Sequence, residues 1–290
     1  MVSIIIINYK TPYLVLNCIN SILANEDINN LEIIVVDNNS SDDSVYLFKC
    51  SHFFKFTNIH LLINNFNFGF GTAVNQAVAI STKDFIWLLN SDSYLIKSTI
   101  NPILNFYKNP IFPKIGCVGT LLINHERNKI VHSFGQFNKL LKLYFNIKNI
   151  NIKNIIKSIN NNEPFIVDIV IGANLFINKN LFLSINGFDE KIFLYEEEAD
   201  LQLRLKLLGY NSYIIPVKNI VHLEGLSSDT LFKRTNILIS SCYLIFKHTN
   251  IFFYIFYRLK IILFAFIYFY NFKNSWKEKL IYLKTALFLK

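Results

Sequence analysis

Four short, almost uninterrupted apolar runs recur in the N-terminal third of the chain and constrain its fold more than any other feature. They lie at residues 2–7, 31–36, 59–63 and 85–89. Segments of helical character separate them, around residues 12–24, 41–50 and 70–81. Strands that are apolar on both faces and alternate with helices form a parallel sheet covered on both sides. The sequence therefore predicts an α/β fold with a mostly parallel, Rossmann-like sheet flanked by helices.

A polar loop follows each of the four runs. The loops read NYKTP, DNNSSDD, NNFNFGFG and NSDS. Ligands of open parallel sheets bind beyond the carboxyl ends of the strands, so these loops are predicted to form one crevice, suited to a base, a ribose and a diphosphate. Each loop alone is also ordinary turn or helix-cap chemistry, and we interpret Asp42 and Asp43 in that way. The prediction therefore depends on the four loops together.

The glycine pattern argues against two common nucleotide-binding classes. The turn after the first run contains no glycine, and Gly69-Phe70-Gly71 follows the third run and lacks a third glycine. A dinucleotide-binding enzyme needs a glycine-rich turn after its first strand, and a P-loop pattern is absent from the sequence. Hydride transfer and ATP hydrolysis are thus disfavoured.

The net charge of +9 is confined to the C-terminal part of the chain. Residues 231–290 contain ten Lys and Arg side chains and a single acid, Glu278, so the preceding residues are neutral overall. Basic residues mixed with Phe, Tyr, Ile and Leu over a helical tail favour an anionic membrane surface as partner, and no nucleic-acid-binding motif is found. Scattered cysteines and the lack of a signal-peptide pattern lead us to expect reduced thiols and a cytoplasmic location.

The tail is predicted to be helical from Leu231, and nearly all sides of it are apolar between residues 251 and 270. A membrane span needs about 20 uncharged apolar residues, and Arg258 and Lys260 interrupt this run. We expect helices that lie in the membrane interface rather than cross it. Packing of the tail on the rest of the protein is the equally weighted alternative.

Between the fourth run and the tail, three features are predicted. Residues 125–163 form loops and short elements, and residues 165–177 form a strand. A helix follows from about Glu196 to Leu208, and Gly209 ends it.

An acidic segment, GFDEKIFLYEEEADLQLR, occupies residues 187–204. Like charges beside aromatic and aliphatic side chains are costly, so a fold keeps them mainly where a cation or a proton transfer needs them. Glu190 and Glu196 fit the milder interpretation of acids near a helix start. Glu197, Glu198 and Asp200 are the candidates for function, although an ion pair with Arg204 is the alternative for Asp200.

Seven blocks resemble, in order, those of family-2 inverting glycosyltransferases of the GT-A fold, and most closely the bacterial rhamnosyltransferase-like branch. They are VSIIIINY, IIVVDNNSSDDS, NFGFGTAVNQAV, WLLNSDS, VDIVIGANLFI, GFDEKIFLYEEEADLQLRLKLLGY and VHLEGLSS. The resemblance covers residues 2–228 and implies a catalytic domain over 1–230 with a basic, apolar helical extension over 231–290.

The resemblance also implies site residues and a cofactor. NSD stands in place of the family's metal motif, so Asp92 and His222 are expected to bind a divalent cation, Mg²⁺ or Mn²⁺. Glu198 is the expected general base, with Glu197 as the alternative and Asp200 in a supporting role. The expected donor-binding residues are Asn8, Tyr9, Asp37, Asn65, Asn75, Asn90 and Gly172.

The implied function is transfer of a sugar from a UDP- or dTDP-sugar to a hydroxyl of a glycan acceptor, lipid-linked in the leading hypothesis, in bacterial surface polysaccharide or lipooligosaccharide synthesis. The enzyme would sit on the inner face of the plasma membrane. No Q-x-x-R-W block follows the acidic cluster, which disfavours a processive synthase. Two departures from common forms, Ser91 and Glu198, leave room for a non-catalytic nucleotide-sugar-binding or membrane-scaffold protein.

Overall fold

The structure is a computed structural model that describes residues 1–223, 230–271 and 276–288. Residues 224–228 of the predicted VHLEGLSS block lie outside the described residues. The strands are β1 Val2–Asn8, β2 Leu31–Asp37, β3 Ile59–Ile63, β4 Phe85–Leu89, β5 Ser93–Leu95, β6 Ile115–Ile123, β7 Phe134–Gly135, β8 Phe165–Val167, β9 Ile169–Val170, β10 Asn174–Asn178 and β11 Asn211–His222. The helices are α1 Pro12–Asn25, α2 Ser44–Cys50, α3 Phe70–Ile80, α4 Ile100–Tyr107, α5 Lys139–Tyr144, α6 Ile152–Asn160, α7 Lys179–Ser184, α8 Glu197–Leu207, α9 Thr230–His248, α10 Ile251–Asn271 and α11 Trp276–Phe288.

The N-terminal half of the main sheet confirms the predicted parallel arrangement. Its strands lie in the order β3-β2-β1-β4, and all three pairings are parallel. The register brings Asn8 beside Asp37 at the carboxyl ends of β1 and β2. The polar loops after these strands therefore share one edge of the sheet, as the order of strands and helices predicts.

The second half of the sheet is mixed. β10 runs antiparallel to both β4 and β6, whereas β6 and β11 are parallel. The prediction of one strand over residues 165–177 is wrong, because the chain turns at Asp168 and again near Gly172 and forms three short strands. β8 pairs with β11, β9 pairs with β7, and only β10 enters the sheet beside β4.

Two buried apolar clusters fill the space on the faces of the sheet. One packs α1 and α4 against the strands, and the other packs α3, α7 and α8. The continuous apolar composition of the strands follows from this arrangement, because β2 is buried along its whole length.

The tail packs on the α/β part of the chain, which is the alternative that the sequence left open. A third apolar cluster joins Ala199 and Leu203 of α8 to Leu238 and Ile245 of α9. α10 and α11 add further side chains to that cluster. None of the helices within residues 230–271 and 276–288 combines the length with the apolarity that a membrane span requires.

Candidate active site

A cleft of about 650 Å³ opens at the carboxyl edge of the sheet. Its polar lining comes mainly from the loops after β1, β2, β3 and β4 and from the acidic segment, and α9 contributes Phe232. The lining residues are Ile7, Tyr9, Thr11, Asn38, Asn67, Gly69, Phe70, Asn90, Ser91, Asp92, Ala173, Phe193, Leu194, Tyr195, Glu197, Glu198 and Phe232. Of the predicted site residues, Tyr9, Asn90, Asp92, Glu197 and Glu198 are thus brought together in one place.

Asn8 and Asp37 lie behind the cleft rather than in its lining. The Asn8 amide donates to an Asp37 oxygen at 2.6 Å and to the Ser40 hydroxyl at 2.9 Å. Ser40 in turn donates to Asp37 through its hydroxyl at 2.6 Å and its backbone N–H at 3.2 Å. Both side chains are buried, and in this arrangement they fix the loops that carry Tyr9 and Asn38.

Asn38 and Asn67 line the cleft, although the sequence analysis selected neither of them. The Asn38 amide donates to Asn67 at 2.9 Å and to the Gly69 carbonyl at 3.1 Å, and its oxygen accepts from Asn64 and from the Phe68 backbone. This network folds the loop after β3 toward the loop after β2. The position of both loops at strand ends indicated that they belong to the cleft. Only the strand pairing shows which of their asparagines face into it.

Asp92 and His222 form the predicted pair at the end of the sheet. His222 is the last residue of β11, and β11 pairs with β5, whose first residue follows Asp92. This pairing brings His222 Nε2 within 3.2 Å of Asp92 Oδ1. The pairing of two strands thus joins residues that are far apart in sequence.

The carboxylate and imidazole of this pair suit a divalent cation that takes its remaining ligands from a substrate and from water. The His222 Nδ1 atom is buried and has no hydrogen-bond partner within the described residues. No group of three or more His, Cys, Asp or Glu side chains that could hold a metal occurs in residues 1–223, 230–271 and 276–288. Mg²⁺ and Mn²⁺ at phosphate-transfer sites commonly take one or two protein ligands and complete their coordination with phosphate oxygens and water.

The turn before α8 adopts an unusual backbone conformation. Tyr195 and Glu196 both have positive φ, 65° and 69°, although neither is glycine. Such residues are strained and persist where surrounding contacts hold them. The loop after β3 is one of these contacts, because the Phe70 N–H donates to the Phe193 carbonyl at 3.0 Å. Gly69 must be glycine there, since a Cβ would stand 2.1 Å from that carbonyl oxygen.

Glu198 faces the cleft from the first turn of α8. The Gly172 N–H donates to its Oε1 atom at 2.8 Å, so Gly172 holds this carboxylate in place. A Cβ on residue 172 would lie 2.5 Å from the same oxygen, which explains the small residue at this position. Burial raises the pKa of Glu198, while hydrogen bonds from its own backbone and from Gly172 oppose the shift.

Glu197 is the more deeply buried of the two acids. Its Oε2 atom is buried without a hydrogen-bond partner among the described residues. Burial first, and repulsion from Glu198 second, raise the pKa of Glu197 well above its usual range. A buried, unpaired carboxylate of this kind is typical of functional sites.

Asp200 points away from the cleft into an ionic network with α9. It accepts from His248 and Lys247, both at 2.7 Å, and from Arg204 at 2.8 Å. Burial acts to raise the pKa of Asp200, but the hydrogen bond from His248 and the charges of Arg204 and Lys247 outweigh it and lower the pKa to about 2. The ion pair with Arg204 that the sequence offered as the alternative is therefore present, and Asp200 supports the helix.

Three further predicted donor contacts occupy other positions. Asn65 is exposed and is not a lining residue of the described cleft. Asn75 exchanges hydrogen bonds with the backbone of Phe188, at 2.9 and 3.0 Å, and so attaches the acidic segment to α3. Gly172 contacts Glu198 rather than the cleft space.

Comparison with known proteins supports this fold. The sequence profile described as "Glycosyl transferase family 2" matches residues 3–182. Rhamnosyltransferase WbbL of Escherichia coli K12 is 25% identical over 245 residues, which cover 81% of this chain and 88% of that protein. N-acetylglucosaminyl-diphospho-decaprenol L-rhamnosyltransferase of Mycobacterium tuberculosis is 23% identical over 210 residues, 66% of each chain.

Among solved structures, the mannosyltransferase PcManGT of Pyrobaculum calidifontis, in complex with GDP-Man and Mn²⁺, superimposes with a TM-score of 0.59. The match covers 99% of this chain and 72% of that one at 16% identity, so it speaks for the fold alone. The α/β fold and the cleft at the strand ends are those of a GT-A glycosyltransferase. The chain belongs to glycosyl transferase family 2, because the family profile matches more than half of it.

The profile match ends at residue 182, before the acidic segment and His222. The roles of Glu197, Glu198 and His222 therefore stay predictions, as do those of Asp92 and of the other predicted site residues. Family membership favours the enzyme over the non-catalytic alternative that the sequence analysis kept open.

Proposed function

We propose that the protein is an inverting, cation-dependent glycosyltransferase that moves a sugar, rhamnose or another hexose or deoxyhexose, from a UDP- or dTDP-sugar to a hydroxyl of a lipid-linked glycan. The single observation that carries the proposal is that Asp92 and Glu198 line the same cleft. The names of the two rhamnosyltransferases support a role in bacterial surface polysaccharide synthesis and a lipid-linked acceptor.

The strand-end residues would bind the donor. Asp92 and His222 would hold Mg²⁺ or Mn²⁺, which supplies charge neutralisation for the leaving diphosphate. Tyr9, Asn38 and Asn90 offer an aromatic ring and amide groups around the nucleotide and the sugar. We propose that Asn8 and Asp37 act by holding these loops in place.

Glu198 is the proposed general base for the acceptor hydroxyl. It is less buried than Glu197, lines the cleft, and is oriented by the Gly172 N–H. Its raised pKa suits a group that must accept a proton from an alcohol and release it afterwards. Glu197, whose buried oxygen has no partner among the described residues and whose raised pKa favours the neutral carboxyl group, is the alternative candidate for the base.

The tail would attach the enzyme to the inner face of the plasma membrane. Large apolar side chains are exposed on α10, including Phe252, Phe256, Leu259 and Leu263. They accompany the concentration of positive charge in residues 231–290. Apolar side chains together with Lys and Arg bind the interface of an anionic bilayer.

The test is a transfer and hydrolysis assay with a panel of UDP- and dTDP-sugars, with Mn²⁺, with Mg²⁺, and after chelation. The proposal expects release of a nucleoside diphosphate from at least one donor and loss of this activity with the chelator. Donor binding without turnover over a broad acceptor panel would instead support the non-catalytic alternative. Sedimentation with vesicles that contain or lack anionic lipid tests the proposed membrane attachment. We expect the protein to sediment with the anionic vesicles only.

A further inference from the structure

The predicted site residues account for the donor, the cation and the base, but none of them accounts for the acceptor. We propose that α9 and the turn before α8 form a binding site for an acceptor in which a diphosphate lies next to an apolar chain. We call this surface the α9 wall, and it consists of Phe193, Leu194, Tyr195, Phe232 and Lys233. The proposal rests on the proposed function, because it assigns the second substrate of the same cleft.

The lining of the cleft divides into two chemically different groups. The strand-end loops contribute amides, hydroxyls and a carboxylate, as Asn38, Ser91 and Asp92 illustrate. The α9 wall contributes aromatic and aliphatic side chains, and Phe193 and Phe232 remain 38% and 44% exposed. A nucleotide sugar needs the first group, whereas exposed aromatic side chains inside a cleft indicate an apolar ligand.

A cation lies at the margin of this apolar surface. The Lys233 Nζ atom stands over the ring of Tyr195, 5.8 Å from its centroid, and Tyr195 lines the cleft. Lys233 is exposed. An ammonium group on a flexible stem is suited to bind a phosphate group.

The base lies on the same stretch of chain as the wall. Glu198 is three residues beyond Tyr195, and both line the cleft. An acceptor that rests on the α9 wall would therefore bring its sugar hydroxyl toward Glu198, while its donor partner occupies the strand-end loops. This arrangement places the two substrates where an inverting displacement needs them.

Polar contacts fix α9 in this position. The hydroxyl of Ser240 donates to the Leu194 carbonyl at 2.9 Å, and the hydroxyl of Ser241 donates to Glu196 at 2.8 Å. Further along the helix, Lys247 bridges Asp189 and Asp200 at 2.7 Å each. The wall is therefore preorganised, and the contacts explain how the strained turn at Tyr195 and Glu196 is maintained.

These features together define the chemical class of the ligand. An apolar surface alone would fit a neutral lipid, and a lysine alone would fit a free phosphate. The α9 wall combines the two within one side-chain length, so the fitting ligand is amphiphilic and anionic. A prenyl diphosphate contains both elements and is the minimal probe of this site.

The experiment measures the dissociation constants of farnesyl diphosphate, farnesol and inorganic diphosphate for the full chain, in the presence of saturating UDP and Mn²⁺. Saturation with UDP keeps the diphosphate probes out of the donor position. We expect farnesyl diphosphate to bind at least about tenfold more tightly than either fragment, since it makes both kinds of contact. The dissociation constant of UDP is measured in parallel for every variant.

Matched variants locate the binding. Lys233→Ala is expected to weaken the binding of farnesyl diphosphate about tenfold and to leave the binding of farnesol unchanged, whereas Lys233→Arg should keep the affinity for farnesyl diphosphate. Phe232→Ala is expected to weaken the binding of both prenyl compounds. Lys55→Ala and Phe56→Ala, which remove an exposed lysine and an exposed phenylalanine between α2 and β3, are the controls and should not change the binding of either prenyl compound.

Two results would overturn the inference. Farnesyl diphosphate could bind no better than inorganic diphosphate, or Lys233→Ala could behave like Lys55→Ala. The parallel UDP titration separates this failure from that of the proposed function. If UDP binds with Mn²⁺ and the prenyl probe does not, only the acceptor site is wrong; if UDP itself fails to bind, the donor assignment is wrong.

Discussion

The two sides of the cleft are built in different ways. The strand-end side consists of loops that follow β1, β2 and β4, and hydrogen bonds between neighbouring loops hold it, such as the pair Asn8 and Asp37. The side that carries Glu197 and Glu198 is a strained turn held by residues from distant parts of the chain. Gly69, Gly172 and Ser241 all contact it.

This difference shows which part of the site is maintained at the expense of folding stability. Positive φ occurs on the strand-end side as well, at Lys10, Asn39 and Ser41. There, however, neighbouring loops hold one another through the buried hydrogen bonds among Asn8, Asp37 and Ser40. The turn side keeps two residues at positive φ and a buried carboxylate with an unpaired oxygen. Its geometry therefore depends on the contacts from α9 and from the loop after β3.

The largest expected effect is on the turn side. Glu198→Gln keeps the shape of the side chain and removes the proposed base, so we expect kcat to fall about 1000-fold with little change in the KM of the donor. Steady-state kinetics with the best donor measures this. Normal turnover by Glu198→Gln would transfer the role to Glu197, and Glu197→Gln in the same assay would reveal it.

The next effect concerns the attachment of α9. Asp200→Ala removes the buried carboxylate that Arg204, Lys247 and His248 share, and Lys247 keeps only Asp189. We expect the free energy of unfolding to drop by about 3 kcal/mol. Asp84→Ala, which removes an exposed pair with the N-terminus, is the control and should have no measurable effect. Denaturant titration at pH 7 compares the two variants.

The same network predicts a pH dependence of stability. Because the pKa of Asp200 is lowered to about 2 in the fold, its contribution is complete above the ordinary value of about 4 and is lost as the pH falls toward 2. Asp200→Ala should therefore flatten the acid limb of the stability curve. An unchanged acid limb would show that the network contributes nothing there.

On the strand-end side, Asp92→Asn tests the cation. We expect kcat/KM to fall about 100-fold or more and the Mn²⁺ concentration for half-maximal activity to rise, because a carboxylate ligand is lost. The stability of the fold should stay close to that of the parent protein. If activity kept its normal Mn²⁺ dependence, Asp92 would not be a metal ligand.

The smallest expected effect comes from Gly172→Ala. The new methyl group would displace the Glu198 carboxylate, whose Oε1 atom lies 2.5 Å from it, and we expect about a tenfold loss of kcat with stability almost unchanged. Gly135→Ala is the matched control, because its methyl group would meet the Ile169 side chain at an ordinary 3.7 Å. Equal activity of the two variants would show that Gly172 does not position the Glu198 carboxylate.

The sequence predicted the strand-end side well because local composition decides it. β3 and β4 have the predicted bounds, and α8 begins within one residue of the predicted start. The strand prediction over residues 165–177 was wrong, because periodicity does not reveal which neighbour each segment pairs with. The positions of Asn65 and Asn75 could not be predicted, since facing into the cleft depends on contacts between distant segments.

Two contacts of the site differ in how far the sequence could predict them. One is the pairing of Asp92 with His222, and the other is the contact of Gly172 with Glu198. The first was expected from the resemblance to the family, and the strand register accounts for it. The second has no sequence signal, because a backbone N–H can serve any neighbouring carboxylate. The packing of α9 beside the acidic turn likewise arises only from tertiary contacts.

The central claim is that cation and base share one cleft and act from its two differently built sides. A crystal structure of the full chain with UDP and Mn²⁺ tests it most directly. The account predicts Mn²⁺ bound by Asp92 and His222 together with the diphosphate, with the Glu198 carboxylate free of the metal and facing the open part of the cleft. Mn²⁺ bound by Glu197 and Glu198, with Asp92 uninvolved, would contradict it.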